Sequence, residues 1–261
     1  MEFRSQVESL HILKKLADTS RQSVLIEGPS GCGKTFLAKQ YANMNNVEDF
    51  VVVPPKVSEI REAVDRCSSM DNRVLICIEN LDEGVKGASY TILKSLEEPS
   101  PNVFIVITCR NIEGVPDTII SRSSVVTVSP PTSNDLVAYA ESRDFAKYHS
   151  VKDSKVCRCA RSFADIDSIL SMDANKIEFY EKVSSAASFK DCVSTIAWNI
   201  SHYENSKDEP NLDIVVRCIA DSIGTKFATK CALTCIDDLH SKSLSKNAVL
   251  ARFVMNIKYC E

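Results

Sequence analysis

Apolar and polar positions alternate on two periods along the first half of the chain. Residues 23–27, Ser-Val-Leu-Ile-Glu, read as a short buried strand, and 50–53 as another, closed by Pro54-Pro55. Apolar residues then recur at Val57, Ile60, Val64 and Cys67, the spacing of one helix face. The run at 74–78 is wholly apolar and bounded by Asp71-Asn72 and Glu79-Asn80, which predicts a strand buried on both sides. A helix over 88–98 is stopped by Pro99 and Pro101, and strands follow at 103–107 and 125–128. Strand–helix alternation over 130 residues predicts a parallel sheet with helices on both faces. Pro130-Pro131 then breaks the chain, and the pattern becomes helical throughout: about 134–142, 162–172, 177–185, 189–202, 212–226, 230–240 and 246–258. The aromatics Phe163, Phe179, Trp198, Phe227 and Phe253 are spaced as helical core.

Three of the seven glycines, Gly28, Gly31 and Gly33, fall within six residues. They belong to Gly28-Pro29-Ser30-Gly31-Cys32-Gly33-Lys34-Thr35, a complete G-x-x-x-x-G-K-[ST] loop between a predicted strand and an apolar-periodic helix through Phe36, Leu37 and Tyr41. Glycines let such a loop wrap closely, so that backbone N–H groups face phosphate oxygens. The helix N-terminus adds its positive end. Lys34 is then expected to reach the β- and γ-phosphates, and Thr35 to hold Mg²⁺.

Charge narrows the partners. Thirty-one basic and 35 acidic side chains give a net charge of -4, close to balanced in both halves, so bulk charge gives no reason for nucleic-acid binding. The 11 cysteines contain no Cys-x-x-Cys pair, and buried small hydrophobes explain them better than disulfides or zinc. The apolar runs are too short to cross a bilayer, and the N-terminus carries no signal-peptide core. These features predict a cytoplasmic protein with no membrane partner.

A phosphate loop alone fits many ATPases; the stretch 74–123 discriminates. Its first strand ends in Glu79-Asn80-Leu81-Asp82, followed by Ile92-Leu93-Lys94-Ser95-Leu96-Glu97-Glu98-Pro99 and, after the next strand, by Pro116-Asp117-Thr118-Ile119-Ile120-Ser121-Arg122-Ser123. This run resembles the clamp-loader branch of the AAA+ ATPases, the gamma and delta-prime subunits of bacterial DNA polymerase III and their phage relatives. The resemblance covers roughly residues 20–130. It implies an α/β fold in three parts: a P-loop AAA+ nucleotide domain over 1–129, a small helical lid over 130–173 and an all-helical, collar-like domain over 174–261. It further implies ATP and Mg²⁺ as ligands, a ring of companion clamp-loader subunits, a sliding clamp and primer–template DNA. By this likeness Thr35 and Glu79 hold Mg²⁺, Glu79 and Asn80 stand at the catalytic acidic positions, Cys109 occupies the sensor position beside Thr108, and Arg122 is a finger reaching a neighbouring subunit's nucleotide. Lys86 and Arg61 become candidates for DNA phosphates.

The departures from the family pattern carry information. Asn80 stands where the family has the carboxylate that positions the attacking water, and an amide cannot accept a proton. Cys109 replaces a Thr or Asn, and a thiol is a poor hydrogen-bond partner. The lid's sensor arginine falls at Ala164, with Arg161 nearby, and the four-cysteine zinc module is missing, since only Cys67 and Cys77 occur in that stretch. Binding parts are complete and hydrolysis parts eroded. Two other functions stay open: a stand-alone nucleic-acid ATPase such as a helicase loader, and a delta-prime-like scaffold with a nearly idle site.

Overall fold

The computed structural model describes residues 3–84, 86–184, 212–239 and 245–258. The helix expected over 189–202, with Trp198, and the side chain of Phe179 lie outside them. Chain contacts divide the protein into two units, Met1–Asp135 and Leu136–Glu261.

The first unit is built on five strands, β1 (Ser23–Glu27), β2 (Asp49–Val53), β3 (Val74–Ile78), β4 (Val103–Cys109) and β5 (Ser124–Thr127). All pair in parallel, in the order β2-β3-β4-β1-β5. Five helices accompany them: α1 (Arg4–Asp18), α2 (Lys34–Met44), α3 (Val57–Ser68), α4 (Lys86–Glu97) and the short α5 (Asp117–Ile120). Because side chains alternate along a strand, each strand feeds two cores. Leu25, Ile76, Ile78, Ile105 and Ile107 pack with Ile60 and Cys67 of α3 and Ile92 and Leu96 of α4. Val24, Ile26, Leu75, Cys77 and Val106 pack on the other side with Leu13 of α1 and Leu37 and Tyr41 of α2. Each buried Ile, Leu or Val contributes about 1.5–3 kcal/mol, so a strand such as β3, buried at every residue, is held from both sides.

In α1 the later turns meet the core through Leu10, Ile12, Leu13, Leu16 and Ala17, but the first turns do so through polar residues. Its buried face carries Gln6 and Ser9 beside Leu13. Gln6 Nε2 donates to the Cys32 carbonyl at 2.9 Å and Ser9 Oγ to that of Thr127 at 2.9 Å. The residue before the helix supplies no side-chain cap. Asp135 does so from 131 positions away, accepting the Arg4 N–H at 2.8 Å and the Ser5 N–H at 3.3 Å.

The second unit is helical among the described residues: the rest of α6 (Ser133–Val151), then α7 (Lys155–Arg158), α8 (Phe163–Ser171), α9 (Ala174–Ser184), α10 (Leu212–Ile223), α11 (Lys226–Leu239) and α12 (Lys246–Lys258). Non-helical angles at Asp144 kink α6. Ser162 and Asp165 form a capping box at the start of α8, and the buried Asp165 also accepts Arg217 Nη1 at 2.6 Å. Phe163 and Phe253 are core residues as expected, but Phe227 is 52% exposed. It sits in the first turn of α11, off the stripe of Ala228, Ala232 and Cys235 that the helix buries. No helix among the described residues is long and apolar enough to cross a membrane.

Candidate functional site

Three neighbouring strands, β3, β4 and β1, bring their carboxyl ends together, the usual place for a ligand on a parallel sheet. From β1 runs the loop 28–33, which delivers Lys34 and Thr35 into the first turn of α2. Gly31 (φ 70°) and Gly33 (φ 94°) take left-handed angles that side chains rarely tolerate, which explains why glycine stands at both. Gln6 holds the loop from behind through Cys32, whose own side chain is buried.

Lys34 is also buried, and its Nζ donates to the carbonyls of Gly28 at 2.7 Å and Pro29 at 3.0 Å. Burial pushes its pKa down, and the nearby Arg110 guanidinium pushes the same way. An ammonium enclosed by its own loop, beside backbone that wraps it, suits a polyanionic ligand. From the first turn of α2, Thr35 Oγ1 donates to Glu79 Oε1 at 2.6 Å. A hydroxyl and a carboxylate at one point are the hard oxygen donors that Mg²⁺ prefers, so the side chains fit the ion.

Asn80 follows Glu79 and takes left-handed angles (φ 48°, ψ 54°). Among ordinary residues Asn is the one that adopts this conformation most readily, so its place here has a backbone reason as well as a chemical one. Its N–H donates to Thr108 Oγ1 at 3.0 Å, joining the ends of β3 and β4. Thr108 is therefore the residue of its pair that meets the acidic turn. Cys109 is fully buried with the α3–α4 core, and burial pushes its thiol up to about 12.

A loop clasp went unnoticed in the sequence. Asp82 Oδ2 accepts the N–H groups of Arg110 at 3.0 Å and Asn111 at 3.2 Å, and Glu27 Oε1 accepts that of Ile112 at 3.0 Å. Gly114 leaves room for Asp82: a Cβ there would meet that of Asp82 at 2.8 Å. Asp82 thus serves the backbone, while the Arg110 side chain lies 2.8 Å from Glu83. Only the proximity of two turns in space links these residues, and no local motif signals it.

Arg122 lies elsewhere. Its neighbour Ser123 meets Ser23, the first residue of β1, at 2.9 Å between hydroxyls, whereas the phosphate loop leaves the last. Four steps of about 3.3 Å separate those ends, roughly 13 Å along the strand. Arg122 Nη2 pairs with Glu97 at 2.7 Å and Nη1 donates to the Thr118 carbonyl at 2.8 Å. Arg61 is exposed on α3, and Lys86 opens α4, its side chain outside the described residues. In the second unit, Arg161 Nη1 turns onto the carbonyls of Arg158 and Ala160, at 2.8 and 3.0 Å, and Ala164 is exposed on α8.

A parallel sheet in this order, with a phosphate loop after its β1 and helices on both faces, is the AAA+ nucleotide fold. A gamma subunit-related protein of DNA polymerase III from Thermotoga maritima matches it with a TM-score of 0.58 at 14% identity, covering 97% of this chain and 100% of that one. A RuvB variant from the same organism reaches 0.50 at 16% identity, over 95% and 80%. In sequence, the family described as DNA polymerase III, delta subunit, matches residues 44–132. The sliding-clamp-loader large subunit of Escherichia phage RB69 is 32% identical over 123 residues, 44% of this chain and 38% of that protein. The DNA polymerase III gamma subunit of Buchnera aphidicola subsp. Baizongia pistaciae is 29% identical over 86 residues, 32% and 23% of the two chains. The chain therefore spans well under half the length of these two relatives. Together the matches make this chain similar to clamp-loader proteins over less than half of its length in sequence, and to AAA+ proteins in fold.

Proposed function

We propose that this chain is an ATP-binding subunit of a sliding-clamp loader, acting in the cytoplasm in DNA replication. The observation that carries the reading is the convergence at one sheet end of Lys34, enclosed by its loop, with the Thr35–Glu79 pair at 2.6 Å. The family match and the two clamp-loader relatives supply the replication context. Backbone N–H groups of Gly28, Pro29, Ser30, Gly31, Cys32 and Gly33 would cradle phosphates, with Lys34 on the β- and γ-phosphates and Cys109 in the sensor slot. Mg²⁺ held by Thr35 and Glu79 would supply charge neutralisation across the phosphates.

Hydrolysis in this reading is slow. Asn80 can orient water through its amide oxygen but cannot take its proton. Arg122, at the other end of β1 from the loop, serves a neighbouring subunit's nucleotide. Companion subunits, the clamp and primer–template DNA are the partners, with Arg61 and Lys86 toward DNA phosphates. The lid over 130–173 and the collar over 174–261 belong to the same proposal. A second reading, a scaffold that lends Arg122 while its own site stays nearly idle, draws support from Asn80 and the buried Cys109.

The experiment is calorimetry with Mg·ATP analogues on the purified chain, followed by ATP turnover with and without clamp and primed DNA. Binding that disappears in Lys34→Ala, with turnover stimulated by clamp and DNA, supports the loader. Binding without stimulated turnover favours the scaffold. Unchanged affinity in Lys34→Ala rejects the site.

A further inference from the structure

Arg110 has no part in the assignments above, yet its backbone stands at the mouth of the phosphate loop. The Gly28 N–H donates to the Cys109 carbonyl at 3.2 Å, so the next residue in the chain begins beside the loop's first glycine. The clasp described above then fixes the segment: Asp82 takes the N–H groups of Arg110 and Asn111, and Glu27 takes that of Ile112. A side chain on a backbone so held has few directions open to it.

The side chain is 29% exposed, and its Nε, itself buried, lies 2.8 Å from Glu83 Oε1. No hydrogen bond joins the two atoms, so the contact is one of charge. Asp82 and Glu27, the other carboxylates here, already accept backbone donors. A planar cation held to a single carboxylate by charge alone can exchange it for a better anion. Phosphate offers more negative charge and matches the guanidinium fork with two parallel donors.

The position selects which phosphate. Loop amides serve the inner part of a nucleotide's phosphate chain, and Lys34 reaches out from it to the β- and γ-phosphates. Arg110 sits at the end of β4 next to the acidic turn after β3, joined to it through Asn80 and Thr108. That side of the loop is where the terminal phosphate and its Mg²⁺ belong. Cys109, the preceding residue, is buried and offers only a weak donor.

We infer that Arg110 is a terminal-phosphate sensor acting within its own subunit, its guanidinium leaving Glu83 for the third phosphate of a nucleoside triphosphate. The inference rests on the nucleotide reading of the loop. It gives the chain a means of telling triphosphate from diphosphate that does not depend on Cys109.

Calorimetry of the full chain with Mg·ADP and with a non-hydrolysable ATP analogue tests it. Arg110→Ala is expected to weaken the analogue about 10- to 100-fold, the range for a lost charged hydrogen bond, and to leave ADP within about twofold. Glu83→Gln, which frees the arginine, is expected to tighten the analogue and leave ADP unchanged. Equal effects on both ligands in Arg110→Ala, or none, overturn the inference while leaving nucleotide binding intact. If circular dichroism shows Arg110→Ala misfolded, Glu83→Gln decides: an unchanged analogue-to-ADP ratio overturns the sensor. A wild-type chain that binds neither ligand removes the loop reading and the sensor together.

Discussion

The hydroxyl of Thr35 and the carboxylate of Glu79, 44 positions apart in the chain, meet at 2.6 Å where α2 leaves the phosphate loop and β3 ends. Two oxygens of different elements are thereby held at one point. Glu79→Ala should leave Thr35 alone there and remove much of the Mg²⁺ dependence of nucleotide affinity. Calorimetry with excess Mg²⁺ and with a chelator measures this; an undiminished difference between the two conditions in Glu79→Ala would place the cation elsewhere.

Asn80→Glu should raise turnover, because a carboxylate at this position can accept the proton of the attacking water. General-base catalysis typically contributes about 10²–10⁴-fold. The same change puts a less tolerant residue at φ 48° and should cost about 1 kcal/mol of stability. Steady-state phosphate release and thermal melting report the two effects separately. Robust wild-type turnover that persists in Asn80→Ala would mean that another group orients the water.

Arg122→Ala should leave the isolated chain's ATP affinity intact and abolish clamp- and DNA-stimulated hydrolysis in the assembled complex. An arginine supplied in trans is worth about 10³–10⁵ in rate. Its ion pair with Glu97 is half-exposed on the Glu97 side, so stability should change by less than about 1 kcal/mol. Activity lost in a strictly monomeric preparation would show that Arg122 works on its own site.

Asp135 gives a prediction in pH. Burial raises its pKa, but hydrogen bonds from the Thr132 hydroxyl and amide and from the Arg4 amide outweigh this and hold it below the ordinary 3.8. A carboxyl depressed in the folded state stabilises at every pH above its unfolded value and loses that contribution as pH falls through the folded one. Asp135→Ala should therefore cost about 2 kcal/mol at neutral pH, the upper range for a lost helix cap. The gap to wild type should stay flat down to about pH 4 and close below it. Melting curves across pH 2–7 check this; a gap that closes between pH 5 and 7 would assign it to another group.

How legible each part was depends on how local its cause is. The β3 run needed no context, since an unbroken apolar stretch between polar turns can only be buried, and all its residues are. The phosphate loop was equally plain, because its glycines answer to the loop's own backbone angles. The start of helix α1 was hidden because Gln6 and Ser9 sit on its buried face and its cap comes from Asp135. Phe227 was misread because an aromatic in a first turn does not reveal that the buried stripe begins with its neighbour, Ala228. The Arg110 clasp depends on carboxylates from two other turns, Asp82 and Glu27, which no spacing rule connects.

The capping of α1 by Asp135 orders the life of the chain during synthesis. Helix α1, which braces the phosphate loop through Gln6, lacks the carboxylate that takes its leading N–H groups until residue 135 has emerged. Closing so long a loop is slow compared with local helix formation. The nucleotide unit should thus gain its brace only when the strand order is complete and the chain has entered α6. A fragment ending just before Asp135 would contain every phosphate-loop residue and all five strands, yet hold that loop less firmly than one ending just after it.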